Sequence, residues 1–356
     1  MSELSKTKGA VFIDPPSNHY YQNKMFDGKD DKLNRDGCLL PYHRLAATLT
    51  EQGVQTNTAE LLVQRADGTA HGDYYSFGIL DNFERLKKQG TSLKGFLLFE
   101  PPIVCPETYR ALPELTAAFD RVYVHNIIGD GYSLQGVDRS KLRQLFWPQP
   151  FKGVLEEHWE KGERLNRIVV INGNHKPRSR AGELYSKRIE AMAALAKLDA
   201  IDLYGVGWDK WLSRRSMWLP YWLNRGMLLS IYHGSCVSKY ETLSRYRFSL
   251  CFENMQMTGY VTEKLFDCLY AGTIPLYLGA PDINSLIPAE AYIDCRKFAS
   301  WEEMWREISS MSDSQINTIR EAGRAYLNSK EFLRYFDSML VIVDAPKDSQ
   351  ERIQIA

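Results

Sequence analysis

The chain is poor in several features, and each shortage removes a class of function. It has no run approaching the ~20 apolar residues of a membrane span, and its N-terminal stretch MSELSKTKGAVF holds nothing long enough for a signal peptide. It has no excess charge. The 44 Lys and Arg residues are matched by 44 Asp and Glu, which argues against a general nucleic-acid binder. Cysteine is sparse and unpatterned. Cys38, Cys105, Cys236, Cys251, Cys268 and Cys295 form no CxxC pair. Several sit in apolar contexts and read as reduced core thiols of a reducing compartment. There is no DxD tract, and the seven histidines, His125, His175 and His233 among them, lack metal-ligand spacing. The expectation is a protein with no bound metal and no cofactor. There are no repeats and no low-complexity tract.

What is present is ordinary for a folded protein: 356 residues, 44% of them hydrophobic, a length that suggests two domains. Ala10–Ile13 reads as a strand, and Ser17–Gly37 as a polar loop. Helices are expected over Leu39–Gln52, Leu80–Gln89 and Pro113–Phe119, with strands at Gly95–Phe99 and Arg121–His125. Strands alternating with helices predict an α/β fold with parallel sheets. Trp147-Pro148-Gln149-Pro150 breaks the pattern, and a charged EEHWEKGER tract follows as a linker. A second α/β unit opens at Ile168–Ile171. It continues with helix Gly182–Leu198, strand Asp202–Tyr204, helix Ser238–Tyr246, strand Phe248–Phe252, helix Thr262–Ala271 stopped by Gly272, and strand Thr273–Leu278. The tail reads as three helices, Ser300–Met311, Ser314–Asn328 and Lys330–Val343. The expected domains are 1–160, 161–330, and 331–356, the last a helix crossing back to the first domain.

The stretch from Phe252 to Phe266 stands out. It joins an apolar strand to a helix through a loop dense in polar groups. Thr262 is placed to cap the helix, its hydroxyl accepting a free amide of the first turn. Glu263 suits the positive end of the dipole, but Lys264 opposes it. A lysine there makes sense beside an anion, because a helix N-terminus plus an ammonium forms a phosphate site. FEN, five residues, YVTEKLFD and then AGTIPLYLG together resemble the donor-binding signature of the family 10 glycosyltransferases, the α-1,3/4-fucosyltransferases. The likeness covers Arg247–Phe298, extends more faintly over Ile168–Leu198 and Gly95–Asn126, and is absent from the first ~90 residues.

That resemblance implies a bacterial-type, inverting, metal-independent enzyme of GT-B architecture, two Rossmann-like domains facing a central cleft. It would move L-fucose from GDP-fucose to a sugar hydroxyl, in α-1,3 linkage to GlcNAc of a glycan or lipopolysaccharide. Its partners would be a nucleotide sugar and a glycan acceptor. By the same likeness, Asn254, Tyr260 and Thr262 line the donor, Glu263 binds ribose, and Arg188 and Lys264 meet the diphosphate. Arg178 and Arg180 are alternatives to Arg188. Glu100, in Phe99-Glu100-Pro101-Pro102, matches the family's catalytic base, although Ser-Pro commonly follows that glutamate elsewhere. On residue chemistry alone, each of these has a plainer reading: Lys264 a solvated lysine, Arg188 a charged helix edge, Tyr260 packing, Glu100 a strand-end carboxylate. Glu253 is read as orienting the loop. The alternatives for function are another GDP-sugar donor such as GDP-mannose, or an inactive nucleotide-binding scaffold.

Trp208–Trp222 matches nothing in the family. Four of the eight tryptophans lie in it. It is open to three readings: an acceptor platform, a membrane-surface element, or an insertion packed on the second half. The expected location is cytoplasmic, with peripheral contact at the inner membrane.

Overall fold

The computed structural model describes residues 9–28, 30–63, 72–160, 162–212 and 217–344. Parts of the charged linker (residue 161) and of the tryptophan-rich segment (213–216) lie outside them. The chain divides into two compact units. One comprises Met1–Glu100, Glu107–Pro150 and Leu333–Ala356, and the other Pro101–Pro106 and Phe151–Phe332.

The first unit contains β1 (Gly9–Asp14), α1 (Leu40–Glu51), β2 (Val54–Thr58), α2 (Glu60–Val63), β3 (Asp73–Ser76), α3 (Phe83–Lys88), β4 (Ser92–Leu97), α4 (Pro106–Arg110), α5 (Leu112–Ala118), β5 (Arg121–Val124) and β6 (Leu142–Gln144). The strands form one parallel sheet in the order β2-β1-β3-β4-β5-β6. Side chains alternate across a strand, and here both faces are buried. Phe12, Tyr74, Phe96 and Val122 enter one core cluster, while Val11, Ile13, Tyr75, Leu97 and Tyr123 enter another. Continuous apolar runs such as GFLLF are therefore what a parallel sheet covered on both sides requires. β4 ends at Leu97, so Glu100 lies beyond the strand rather than at its end.

The second unit contains α6 (Glu156–Trp159), β7 (Leu165–Ile171), α7 (Tyr185–Ala196), β8 (Ile201–Tyr204), α8 (Leu219–Ser230), α9 (Lys239–Leu243), β9 (Tyr246–Phe252), α10 (Glu263–Ala271), β10 (Ile274–Leu278), α11 (Ile283–Leu286), β11 (Ile293–Asp294), α12 (Trp301–Ser309) and α13 (Asp313–Leu327). Its five strands are parallel, in the order β11-β10-β9-β7-β8. The charged tract expected to be a linker belongs to this unit. It forms α6, and the buried Arg164 donates to His158 O at 2.9 Å and to Ala271 O at 2.8 Å, closing the last turn of α10. Gly272 ends that helix in the left-handed conformation, φ +69°. A side chain there would also meet the Trp159 ring at 2.8 Å.

The expected single helix Lys330–Val343 is instead two short ones, α14 (Leu333–Phe336) and α15 (Ser338–Ile342), both in the first unit. Met339 and Ile342 bury in the core cluster shared with Val11 and Ile13. Among the described residues no helix is long and apolar enough to cross a membrane.

Candidate donor site at the carboxyl ends of β7 and β9

In the second sheet β7 is followed on one side by β8 and on the other by β9, so the strand order reverses between β7 and β9. Open α/β sheets bind ligands at such a reversal, outside the carboxyl ends of the strands. The loops leaving those two strands are 172–184 and 253–262, and they are joined. Leu184 N donates to Asn254 O at 3.0 Å, and Gln256 N to Gly182 O at 2.8 Å.

The centre of this arrangement is Glu253, the first residue past β9. It is fully buried. Its carboxylate accepts from Thr262 N (2.8 Å), Thr262 Oγ1 (2.8 Å) and Lys264 Nζ (3.0 Å). Lys264 also donates to Thr262 Oγ1 at 2.7 Å and lies 3.6 Å from a Glu263 oxygen. Burial works against the Lys264 ammonium, but Glu253 and Glu263 outweigh it and hold its pKa above the ordinary lysine value. Thr262 does stand at the N-cap, but its hydroxyl accepts no amide of the first turn. It is committed to Glu253, whose carboxylate takes the threonine amide as well. The anion that makes a cation tolerable at this helix start is thus built into the chain. Gly279 makes room for it, since a Cβ at that position would stand 2.6 Å from Glu253 Cγ.

Arg188, from α7, is brought to the same place. Its guanidinium donates to the carbonyls of Phe252 and of Glu253, the latter at 3.0 Å. It is buried, its Nε has no partner, and burial lowers its pKa, with Tyr185 and Glu253 opposing the shift. Arg178 and Arg180 are exposed on the loop before α7. Asn254 donates to the hydroxyl of the buried Tyr260 at 3.4 Å. Glu263 keeps about a third of its side chain exposed. Burial acts to raise its pKa, but Lys264 and Lys239 prevail and lower it, so it is an anion. Asn254, Tyr260, Thr262, Glu263, Lys264 and Arg188 therefore share one loop–helix junction. Sequence reasoning missed Asp282, which accepts from Gly259 N at 2.9 Å and pins the loop from the β10–α11 side. Only its place in the LGAPD tract after β10 signals it.

Glu100 lies in the first unit, half-buried, three residues past β4. The backbone before it is held by a residue to which the sequence assigned no role. His125 Nε2 bonds Phe99 O at 2.8 Å, and its ring stacks with Trp147, centroids 6.3 Å apart. Burial pushes the His125 pKa down to about 4. The imidazole is therefore neutral near pH 7, with its proton on Nε2. At the strand reversal of the first sheet, between β1 and β3, sits another residue the sequence did not announce. The buried Asp14 accepts from Tyr74 (2.7 Å), Asn82 (2.8 Å) and Tyr21 (3.3 Å).

Two Rossmann-like units with a cationic helix entry at a strand reversal define the GT-B class of glycosyltransferase folds. Residues 171–320 match the family described as Glycosyltransferase family 10 (fucosyltransferase) C-term, so this part of the chain carries that family's domain. It is similar to the α-(1,3)-fucosyltransferase FucT of Helicobacter pylori, 32% identical over 118 residues, covering 29% of this chain and 24% of that one. It is similar also to human α-(1,3)-fucosyltransferase 7, 38% identical over 77 residues, covering 21% and 22% of the two chains. The matched segments thus span about a quarter of these relatives. Among solved structures, an α1,3-fucosyltransferase shares the fold at a TM-score of 0.50 and 15% identity, over 98% of this chain and 95% of the other. A glycosyltransferase from Rickettsia africae does so at 0.55 and 8% identity, over 97% and 100%.

Proposed function

We propose that this protein is an inverting, metal-independent fucosyltransferase that takes L-fucose from GDP-fucose and forms an α-1,3 bond, with GlcNAc of a glycan or lipopolysaccharide as acceptor. The observation that carries the reading is Lys264 held at the start of α10 against the buried Glu253. Two of its N–H groups are committed to Glu253 and Thr262, which leaves the third for a phosphate oxygen. A cation fixed in advance stabilises charge on a departing diphosphate without reorganising during the reaction. Arg188 holds the loop carbonyls in place, and its charge adds to the positive field there. Glu263, ionised and part-exposed, accepts the ribose hydroxyls, while Asn254 and Tyr260 line the donor.

In this mechanism Glu100 takes the proton from the acceptor hydroxyl. The freed oxygen attacks C1 of fucose as the bond from C1 to the diphosphate oxygen breaks, inverting the configuration in one step. His125, stacked on Trp147, fixes the backbone before Glu100. The reading includes a cytoplasmic location, supported by six free thiols.

The test is Glu100→Gln, assayed in EDTA with GDP-fucose and GDP-mannose side by side over an acceptor panel. Turnover of fucose should fall by ~10²-fold or more, as loss of a general base implies, while GDP affinity stays within about twofold. Undiminished turnover removes Glu100 from the mechanism. Faster turnover of GDP-mannose by the wild type overturns the donor assignment.

A further inference from the structure

The tryptophan-rich segment is unused by this mechanism, and the structure divides it into two faces. One face is an anchor. Trp208 is buried and donates its Nε1 proton to Asn172 O at 2.6 Å; Tyr221 is buried and donates to Trp208 O at 2.6 Å; Leu228 is buried about two turns beyond. The other face is apolar and exposed. Along α8, Leu219, Trp222 and Leu223 fall at positions i, i+3 and i+4, and they are 63%, 45% and 75% exposed. Trp211 and Leu212, on the approach to the helix, are 61% and 67% exposed. A helix apolar on its outward as well as its inward face does not suit plain exposure to water.

Charge indicates what covers it. The whole chain is balanced, yet residues 210–240 contain five Lys or Arg and no Asp or Glu. One of these cations, Arg225, lies over the Trp211 ring at 4.6 Å. Exposed Trp and Leu with Arg225 beside them, in a stretch whose sequence is basic and free of acids, match the boundary of an anionic bilayer, where the apolar groups enter ~5–10 Å and the cations meet the headgroups. A second copy of the chain fits less well, since a two-fold contact through this face would set its cations against themselves. A sugar fits less well too, because the aromatic rings here are interleaved with leucines rather than with hydrogen-bonding side chains.

We propose that the outward face of α8, Leu219, Trp222 and Leu223 with Trp211 and Leu212, is a docking surface for a negatively charged lipid bilayer. The bonds of Trp208 and Tyr221 tie α8 to the loop after β7, so docking needs no folding of that helix.

The test is sedimentation of the purified protein with phosphatidylcholine vesicles, with and without phosphatidylglycerol, for the wild type, Leu223→Glu and Trp222→Ser. Thermal melting confirms that each variant is folded, and Leu219→Gln substitutes for any that is not. Binding to the anionic vesicles is expected, with a blue shift of tryptophan emission and a loss in high salt. Leu223→Glu should weaken it about tenfold, the scale set by removing one inserted leucine and adding a repelled charge. Wild-type protein that stays in the supernatant with anionic vesicles overturns the proposal. So does equal binding of wild type and variants, or a dimer that Leu223→Glu dissolves while vesicle binding is unchanged.

Discussion

Each of the two sheets has one point where strand order reverses, and the chain equips the two points differently. Between β1 and β3 the first sheet buries a carboxylate, Asp14, among neutral donors: Tyr21, Tyr74 and Asn82. Between β7 and β9 the second sheet buries a carboxylate, Glu253, against a cation, Lys264, beside a second cation, Arg188. Burial raises the Asp14 pKa despite its three hydrogen bonds. The first point therefore keeps a group that loses little by becoming neutral. At the second, loss of the anion would strand an ammonium out of water. A carboxylate at the end of β1 ties a loop to a sheet. The same group at the end of β9 fixes a positive charge where a ligand's negative charge can be met.

The contrast can be broken in four ways. The largest effect is expected from Glu253→Ala. Removing one partner of a buried ion pair costs about 3–5 kcal/mol, and urea denaturation should show it together with loss of GDP binding. A variant as stable as wild type would mean that Glu263, 3.6 Å from Lys264, suffices as its counter-ion. Next is acid. His125 is buried and neutral with a pKa of about 4 against an ordinary 6.5. As pH falls from about 6.5 towards 4, the unfolded chain takes up a proton that the folded one refuses. The first unit should therefore lose about 3 kcal/mol over that window, and His125→Gln should flatten the dependence measured by denaturation at each pH. Third, Lys264→Ala should weaken GDP binding about tenfold or more, the scale of one charge-assisted contact. Isothermal titration giving equal affinities would remove the phosphate role. Last and smallest, Asp14→Asn should cost no more than about 1 kcal/mol, because no charge is left unpaired. A loss as large as that of Glu253→Ala would erase the distinction between the two points.

Much of the second unit was legible in the sequence, because its signature is contiguous. Phe252 to Lys264 places strand end, loop and helix start within one stretch, and Gly272 marks the helix end by its backbone alone. The first unit was harder to read. β2 (VQTNT) and β3 (DYYS) carry little strand signal, one because it is polar at the sheet edge and the other because it is short and opens on an aspartate. β4 starts earlier than GFLLF suggests, since Ser92 and Leu93 pair with β3 across a register shift at Tyr74/Tyr75. The last helix is two, α14 and α15, and Met339 and Ile342 of the second enter the first unit's core. In the site, spacing alone marks Thr262 as the N-cap, but its hydroxyl donates to Glu253 instead of capping the helix.

The sequence by itself determined the α/β alternation, the strand–loop–helix with an ill-placed lysine, and the family to which that stretch belongs. These follow from spacing along the chain, which local propensity and motif preserve. Only the tertiary structure decided which anion faces Lys264, that Arg188 of α7 binds the carbonyls of Phe252 and Glu253, and that one face of α8 is anchored while the other stays exposed. A buried charge must find its partner in space, and an apolar side chain is core or surface only by what packs against it. Neither is written in the order of residues.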